Sequence, residues 1–318
     1  MAGYVLDRLS CYWRFCRPFT LLLPAVGMLA ASLAALGAGA GGAHLEAPGG
    51  VWRLGLRIVV GMLAAALLNV FSNGINQVYD RVADAINKPR RMLPSGRMTE
   101  REAWLLSLLG GALALGAAAW LGPATALLFV AGAACTWAYS APPLRLKARG
   151  WWANLAVALP RGMLLWLAGW SVVGSLEPAD PWWIGGVLGL FFLGAVTTKD
   201  FSDVPGDLRA GCRTLPILWG LETTVRRIAP FFVAPFLLLA GLGRAGSLQG
   251  SAPILTVVGV AGAGWGGYIL RMLWATVRGG ERDPVHAEEW ENHPAWRHMY
   301  LLTLFVQVGV AVAYWWKP

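Results

Sequence analysis

Along this chain the charged residues gather in clusters, and the stretches between clusters are long and almost uncharged. No charge occurs from Ile58 to Ile75, and comparable apolar runs lie near 19–37, 103–121, 123–140, 154–174, 182–198, 228–243, 253–270 and 299–316. Roughly 20 helical residues cross the hydrocarbon core of a bilayer. Lipid offers backbone N–H and C=O groups no partner, so each run is expected to satisfy its own backbone as a helix. The pattern predicts an all-α, polytopic membrane protein with about nine transmembrane helices, organised as a single domain over residues 1–318.

Composition strengthens that reading. Hydrophobic residues make up 57% of the chain and charged residues 14%, against about 25% charged in a soluble domain; the mean hydropathy is +0.54. Too little charge is present to solvate a globular surface.

The cations set an orientation. With a cytoplasmic N-terminus, nine crossings leave only Arg53, Arg57, Arg244 and Lys317 on the far side and Arg161 within a span. The rest of the 26 Lys and Arg fall inside, a strong positive-inside bias. Topology and anionic membrane lipid account for the net charge of +9, and no nucleic-acid partner is needed to explain it. The start of the chain lacks a signal-peptide pattern. Cys11, Cys16, Cys135 and Cys212 show no metal-ligand spacing and are expected to be reduced thiols. Tryptophan pairs at 151–152, 182–183 and 315–316 flank spans as an interfacial belt does.

The acids are few and specifically placed. Asn76, Asp80 and Asp84 are spaced by four, and Asp200, Asp203 and Asp207 by three and four. Such spacing stacks side chains on one helical face, although Pro205 and Gly206 interrupt any long helix in the second group. Four crossings separate the groups, so both end on one face of the membrane. Asp80 and Asp84 recur at Asp203 and Asp207, and "RMLP" at 91–94 recurs as "RTLP" at 213–216. These matches suggest a weak parallel repeat of a four-helix unit, a known membrane plan. Facing carboxylate ladders repel unless compensated. Mg²⁺ takes oxygen ligands and is commonly held by carboxylates together with substrate phosphates, while interleaved Arg and Lys suit the remaining phosphate charge. A single ladder reads equally well as a solvated loop with local salt bridges; two matched ladders on one face point to metal and diphosphate.

These stretches carry a resemblance. "NQVYDRVADAINKPRRMLPSGR" (76–97) resembles the first aspartate motif of the UbiA superfamily of intramembrane prenyltransferases, NxxxDxxxD. "KDFSDVPGDLRAGCRTLP" (199–216) resembles the second, DxxxD within KDxxDxxGD. "RPFTLLLP" (17–24) and "YSAPPLRLK" (139–147) are similar to the family's first-helix opening and central loop. The resemblance implies nine helices around a central cavity, a lateral opening to lipid and two Mg²⁺ ions at the cytoplasmic mouth. Asn76, Asp80 and Asp84 would hold one ion, Asp203 and Asp207 the other, with Asp200 in support. Lys88, Arg91, Lys147, Lys199 and Arg213 become candidates for the diphosphate of a geranylgeranyl or similar donor. Departure of that diphosphate leaves an allylic cation that an apolar cavity shields from water. Tyr139 is a candidate to stabilise the cation or touch the diphosphate, the alternative being a place in the interfacial belt. Arg161, roughly 10 Å inside its helix at the helical rise, reads as lining the cavity toward an acceptor acid or phosphate, or as pairing between helices. His286, His293 and His298 show no metal spacing, and 281–298 reads as a surface loop.

The first motif is most similar to the chlorophyll-synthase branch but has Met92 where that branch has Pro, and the second begins Lys199-Asp200 where that branch has Asn-Asp. The lipophilic acceptor therefore stays open among a tetrapyrrole carboxylate, a glycerol phosphate lipid and an aromatic quinone precursor. A membrane terpene cyclase of the same superfamily needs no acceptor. A secondary transporter is a further alternative, but its site belongs near the bilayer midplane. A CDP-alcohol phosphotransferase needs an Asp-Gly step that this chain lacks.

Overall fold

The computed structural model describes residues 2–46, 49–278 and 293–316, and all regular structure among them is helical. Seven segments are long and apolar enough to cross a membrane: Pro18–Gly37, Gly50–Tyr79, Glu100–Leu121, Asp180–Phe201, Leu215–Arg244, Ala252–Arg278 and Pro294–Trp315. The other two expected crossings are also helical. One is the 18-residue helix Pro123–Ser140. The other is built in three pieces, Trp151–Ala158, a π turn over Leu159–Leu164 and Leu165–Ser171.

In chain order the helices are α1 (Ala2–Cys16), α2 (Leu22–Gly37), α3 (Gly42–Glu46), α4 (Gly50–Tyr79), α5 (Arg81–Asn87), α6 (Glu100–Leu121) and α7 (Pro123–Ser140). They continue with α8 (Trp151–Ala158), α9 (Leu165–Ser171), α10 (Asp180–Ala195), α11 (Val204–Arg209), α12 (Leu215–Ile228), α13 (Pro230–Arg244), α14 (Ala252–Arg278) and α15 (Pro294–Trp315). Local chemistry sets several ends. Thr99 caps α6 through a reciprocal capping box with Glu102, satisfying two orphan amide groups at once. Gly122, at φ 141°, turns the chain, and Pro123 opens α7 where its missing N–H costs nothing. The expected crossing near 228–243 begins earlier than its apolar run, because α12 leads into it from Leu215. Within α12 the chain kinks at Gly220 (φ 74°, ψ 166°), and Glu222, Arg226 and Arg227 break the apolar pattern after that kink.

Small residues (Ala31, Ala34, Ala35, Ala64, Ala114 and Ala118) are wholly buried where α2, α4 and α6 meet their neighbours, whereas Leu63, Leu105, Leu127 and Val257 are exposed. That inversion is expected where the outer solvent is lipid and helices associate by close approach of small residues. Between α13 and α14 the approach is close at Gly266, where a Cβ would stand 1.8 Å from the Phe232 carbonyl oxygen, and at Gly259, where it would stand 2.5 Å from the Phe236 carbonyl oxygen. Arg57 turns inward and donates to the Leu121 carbonyl (2.5 Å) and the Val172 carbonyl (3.3 Å). One guanidinium thereby serves the last carbonyls of both α6 and α9, groups that have no intrahelical partner.

Helix α10 carries an aspartate near each end of its rod. At its start, Asp180 is buried. It accepts from the Gln249 amide N–H (2.8 Å), the Gln249 side chain (3.4 Å) and the Tyr314 hydroxyl. The rod continues past Ala195 as a 3-10 turn, Val196–Phe201, which delivers Lys199 and Asp200 to the opposite end.

His293 and His298 have structural partners. His293 caps α15 by accepting from the Ala295 N–H (3.2 Å), and its Nε2 lies 2.8 Å from Thr276 Oγ1. His298 Nδ1 accepts from Trp265 Nε1 at 3.0 Å. His286 and the rest of the predicted loop up to residue 292 lie outside the described residues. All four cysteines are free. The paired tryptophans at 182–183 and 315–316 are exposed, as is Trp152, in keeping with a membrane-interface belt.

Candidate active site

Helix α4 ends at Asp80, whose backbone (φ −92°, ψ 7°) breaks the helix before α5 begins. Asp203 (φ −101°, ψ 0°) makes the corresponding break before α11. In both places the amide of the aspartate four residues on bonds back to the first aspartate's carbonyl, Asp84 to Asp80 at 2.7 Å and Asp207 to Asp203 at 2.9 Å. The sequence repeat is thus a repeat of backbone geometry. Each ladder is a helix end, a break in the sparsely populated bridge region, and a short helix.

The two halves are joined face to face. Asn87 donates to the Asp203 carbonyl (2.9 Å) and accepts from the Gly206 N–H (2.8 Å). Gly206 is required there, since a Cβ would stand 2.5 Å from both the Ala83 carbonyl oxygen and the Asn87 side chain. Lys147, delivered by the 3-10 turn Leu146–Ala148, stands between the ladders. Its Nζ lies 2.8 Å from Asp80 Oδ2 and 2.9 Å from Asp207 Oδ1.

Each acid meets a cation. Asp84 accepts from Arg91 at 2.6 Å, Asp203 pairs with Lys88 across the two motifs, and Asp200 lies 3.8 Å from Lys199. Asn76 donates to Asp80 Oδ2 at 2.6 Å. Burial pushes the Asp84 and Asp207 carboxyls up from their ordinary values, against the pull of Arg91 and Lys147 respectively. Burial also pushes on Asp203, but the Lys88 ammonium overcomes it and holds that carboxyl low. Burial works against the Lys147 ammonium as well, and the flanking Asp80 and Asp207 more than reverse it, so its value rises well above normal.

Among the described residues no three His, Cys, Asp or Glu side chains converge on one point; the carboxyls are spread over Lys147 and Lys88. Their chemistry nevertheless fits a hard cation. The set is oxygen only, and Asp207, 0% exposed, has two side-chain oxygens that accept no directed hydrogen bond despite the nearby ammonium. Lys147 faces Oδ1, but Oδ2 is left without a donor; a buried acceptor left unmatched is costly, and a metal ion would match it.

Beneath the cluster lies a cavity walled by α4, α7, the α8–α9 rod, α10 and α15. Asn76, Tyr139, Arg161 and Lys199 all line it. Tyr139 is buried rather than part of an interfacial belt. Its hydroxyl accepts from Lys199, whose Nζ also sits 4.6 Å from the ring centroid. Arg161 sits on the π turn, ten residues into its rod, or about 15 Å at the helical rise. That is deeper than its apolar run indicated, because the helix starts at Trp151. Among the described residues its side chain meets no hydrogen-bond or ion-pair partner. Arg213 alone among the predicted diphosphate ligands is left out of the cluster. It is exposed, and only its backbone is engaged, with Ala148 and Gly150.

Three residues were not picked out from the sequence. Arg17 lines the cavity in a left-handed conformation, φ 56° and ψ 63°, which costs about 1–3 kcal/mol for a residue with a Cβ. Asn69 and Asn73 hold the turn that follows. Asn69 bonds the Thr20 carbonyl (3.0 Å) and hydroxyl (3.1 Å), and Asn73 bonds the Cys16 carbonyl (3.2 Å) and the Thr20 hydroxyl (2.9 Å). A second four-residue series, Asn69, Asn73 and Gln77, one position out of step with the ladder, was the available signal. No acid or histidine lines the cavity among the described residues; its ionisable side chains are Arg17, Tyr139, Arg161, Lys199 and Tyr300.

Comparison with known proteins agrees with this architecture. The chain is 38% identical to the chloroplastic chlorophyll synthase of Oryza sativa subsp. japonica over 175 residues, 52% of this chain and 46% of that protein. It is 34% identical to the chloroplastic homogentisate solanesyltransferase of Arabidopsis thaliana over 257 residues, 77% of this chain and 63% of that protein. The chain thus spans about half the length of the first relative and less than two thirds of the second. Its fold is that of a UbiA homologue from Archaeoglobus fulgidus solved bound to GPP and Mg²⁺, with a TM-score of 0.69 and 22% identity, covering 95% of this chain and 99% of that one. A family model described as the UbiA prenyltransferase family matches residues 29–283, most of the chain, and the protein belongs to that family.

Proposed function

We propose that this protein transfers an isoprenoid chain, in the geranylgeranyl size range, from its diphosphate to a carboxylate of a membrane-soluble tetrapyrrole. The observation that carries the reading is the pair of acidic ladders joined across Lys147 at the mouth of an apolar cavity. Asn76, Asp80 and Asp84 would hold one Mg²⁺ and Asp203 and Asp207 a second, with Asp200 in support; when bound, the metal neutralises the diphosphate as a leaving group. Lys88, Arg91 and Lys147 exchange carboxylate partners for diphosphate oxygens, and Lys199 holds its charge beside Tyr139 at the top of the cavity. The C1–O bond of the donor breaks with its electron pair leaving on diphosphate. An acceptor carboxylate oxygen then bonds C1 to give an ester. The apolar walls keep water from the allylic cation meanwhile.

The ionisable lining of the cavity favours this acceptor class. A lipid hydroxyl or an aromatic carbon must lose a proton during the reaction, and no carboxylate or imidazole lines the cavity to take it. A carboxylate arrives already as the nucleophile and matches the partnerless Arg161 and Arg17. Homogentisate is the second reading, since the relative that acts on it aligns over 77% of this chain. The charge bias supports a cytoplasmic N-terminus and mouth.

Purified protein incubated with geranylgeranyl diphosphate and Mg²⁺ is expected to release diphosphate only when chlorophyllide is added, and EDTA should stop the release. Release with homogentisate alone moves the acceptor to the aromatic class. Release without any acceptor identifies a cyclase, and none with any donor returns the chain to the transporter class.

A further inference from the structure

Arg213 stands outside the acidic cluster, and its backbone gives it different company. Its N–H donates to the Ala148 carbonyl (3.2 Å) and its carbonyl accepts from the Gly150 N–H (3.0 Å). Bonding to both neighbours of Arg149 is the pattern of parallel chains, which sets paired residues about 4.8 Å apart with their side chains on one face. Arg149 and Arg213 therefore stand side by side, and both are exposed. Among the described residues neither is in an ion pair, and the one side-chain bond either makes runs from Arg149 to the Pro143 carbonyl (3.2 Å). Cations close by are matched. Arg226 has Glu222 at 3.3 Å, and Arg227 lies 4.0 Å over the Trp219 ring. Like charges set directly opposite repel, so the Arg149–Arg213 pair is short of an anion. The surface beside it is apolar. Trp152 and Leu155, about one turn apart on α8, are 60% and 43% exposed, and Leu218 on α12 is 40% exposed. A Cβ on Gly150 would stand 3.4 Å from Leu218 Cδ1, and Trp151 meets Trp219 at 6.0 Å, so α8 and α12 present one wall.

We infer that Arg149 and Arg213 form a binding site for an anionic phospholipid, with its phosphate between the two guanidiniums and its acyl chains along Trp152, Leu155 and Leu218. A phosphodiester has two unbridged oxygens, and a planar guanidinium binds such oxygens in pairs. Its charge removes the repulsion between the arginines. Exposed tryptophan marks headgroup depth, and basic pockets at the ends of membrane helices take anionic headgroups in this way. A soluble anion would use the arginines and leave the wall unused. The site also touches the cluster. Arg149 lies two residues after Lys147, and Arg213 lies six after Asp207. One lipid phosphate would thus tie together the two segments that hold Lys147 and Asp207 at 2.9 Å.

The test is native mass spectrometry of the full chain, delipidated in detergent and titrated with phosphatidylglycerol, phosphatidylcholine or geranylgeranyl diphosphate. Wild type should take up its first phosphatidylglycerol at a concentration roughly tenfold below that for phosphatidylcholine, whose headgroup carries a cation of its own. Arg149→Gln and Arg213→Gln should each weaken that uptake about tenfold, the loss of one charge-assisted hydrogen bond. Arg213→Lys keeps the charge without the planar fork and should fall between, which keeps the test open if a Gln variant fails to fold. Arg101→Gln, an exposed cation at the start of α6, should leave uptake unchanged. Excess inorganic phosphate should not displace the lipid, since it has nothing to place on the apolar wall. Equal uptake of the two phospholipids, or an equal loss in Arg101→Gln, reduces the pair to diffuse surface charge and overturns the site. Displacement by inorganic phosphate assigns the pair to a soluble anion. Loss of geranylgeranyl diphosphate uptake in the Gln variants, with phosphatidylglycerol unmoved, assigns it to the prenyl donor. Both of these outcomes overturn the lipid assignment. The readout is binding, so its failure leaves the prenyl-transfer reading untouched.

Discussion

Two buried aspartates stand near the ends of the α10 rod in opposite chemical company. Asp180, at one end, is held by neutral donors fixed in the fold, the Gln249 amide and the Tyr314 hydroxyl. At the other end the acids of the two motifs are held by ammonium and guanidinium groups on long side chains, Lys88, Arg91 and Lys147. Neutral donors from two other segments of chain make a permanent clasp. Flexible cations make a partnership that a better ligand can take over, because the same groups bind phosphate oxygens as readily as carboxylates. Burial alone does not separate a structural acid from a ligand; the donors do.

Substitution at the mouth breaks this comparison most strongly. Asp80→Ala and Asp203→Ala are expected to lower kcat by at least ~10²–10³-fold, the scale of losing one electrostatic contact to a developing charge. Both should still elute as folded protein from a sizing column in detergent. Full activity in either variant rules out the ladders as the diphosphate clamp.

The opposite end should answer the other way. Asp180→Ala strands the Tyr314 hydroxyl and the Gln249 amide inside the protein, at a cost of about 2–3 kcal/mol. A lower unfolding temperature is expected, with kcat of the surviving folded protein near wild type. Lost turnover at unchanged thermal stability would mean that this carboxyl serves the reaction and that the distinction between the ends is false.

Much of this was legible in the residues. Apolar runs located all nine rods, and the spacing of the acids located both ladders, because spacing and hydropathy are local properties. What escaped notice depends on contacts between distant segments. Lys147 was legible as a phosphate ligand, but its place between Asp80 and Asp207 needed the loop 141–150 folded over both motifs. Arg213 has the right charge but is exposed and pairs through its backbone with Ala148 and Gly150, a long-range contact that spacing does not reveal. Arg161 ran deeper than its run suggested because Trp151 and Trp152 already belong to the helix. The start of α12 was hidden by charges that lie along a helix leading into the membrane.

Arg161 tests whether a partnerless cation belongs with the flexible, exchangeable set. Arg161→Gln keeps a side chain that fills space and donates hydrogen bonds but removes the charge. Loss of one charge-assisted hydrogen bond, about 1.5 kcal/mol, should raise the acceptor KM roughly tenfold and leave the donor KM almost unchanged. Equal changes in both constants would make Arg161 a shaper of the π turn and remove it from the acceptor site.

The smallest effect is the most discriminating. Tyr314→Phe removes one hydroxyl that donates to Asp180 and leaves the ring, its edge-on contact with Trp170 at 5.9 Å, and the Gln249 donors in place. If the clasp is a fixed set of neutral hydrogen bonds, the loss is about 1 kcal/mol of stability. Combined with Asp180→Ala, it should cost less than the two separate losses added together, since with the carboxyl gone the hydroxyl has no acceptor left to lose. Thermal unfolding of the two single variants and the double variant measures that coupling. A coupling of zero would mean that the hydroxyl never held the carboxyl, and the end of α10 would then need another anchor. Turnover gives the complementary reading. The clasp lies a rod's length from the cluster, so kcat and both KM values should be unmoved in all three variants. A coupled change in kcat would mean that the two ends communicate along α10, and a fixed clasp could no longer be set against an exchangeable one.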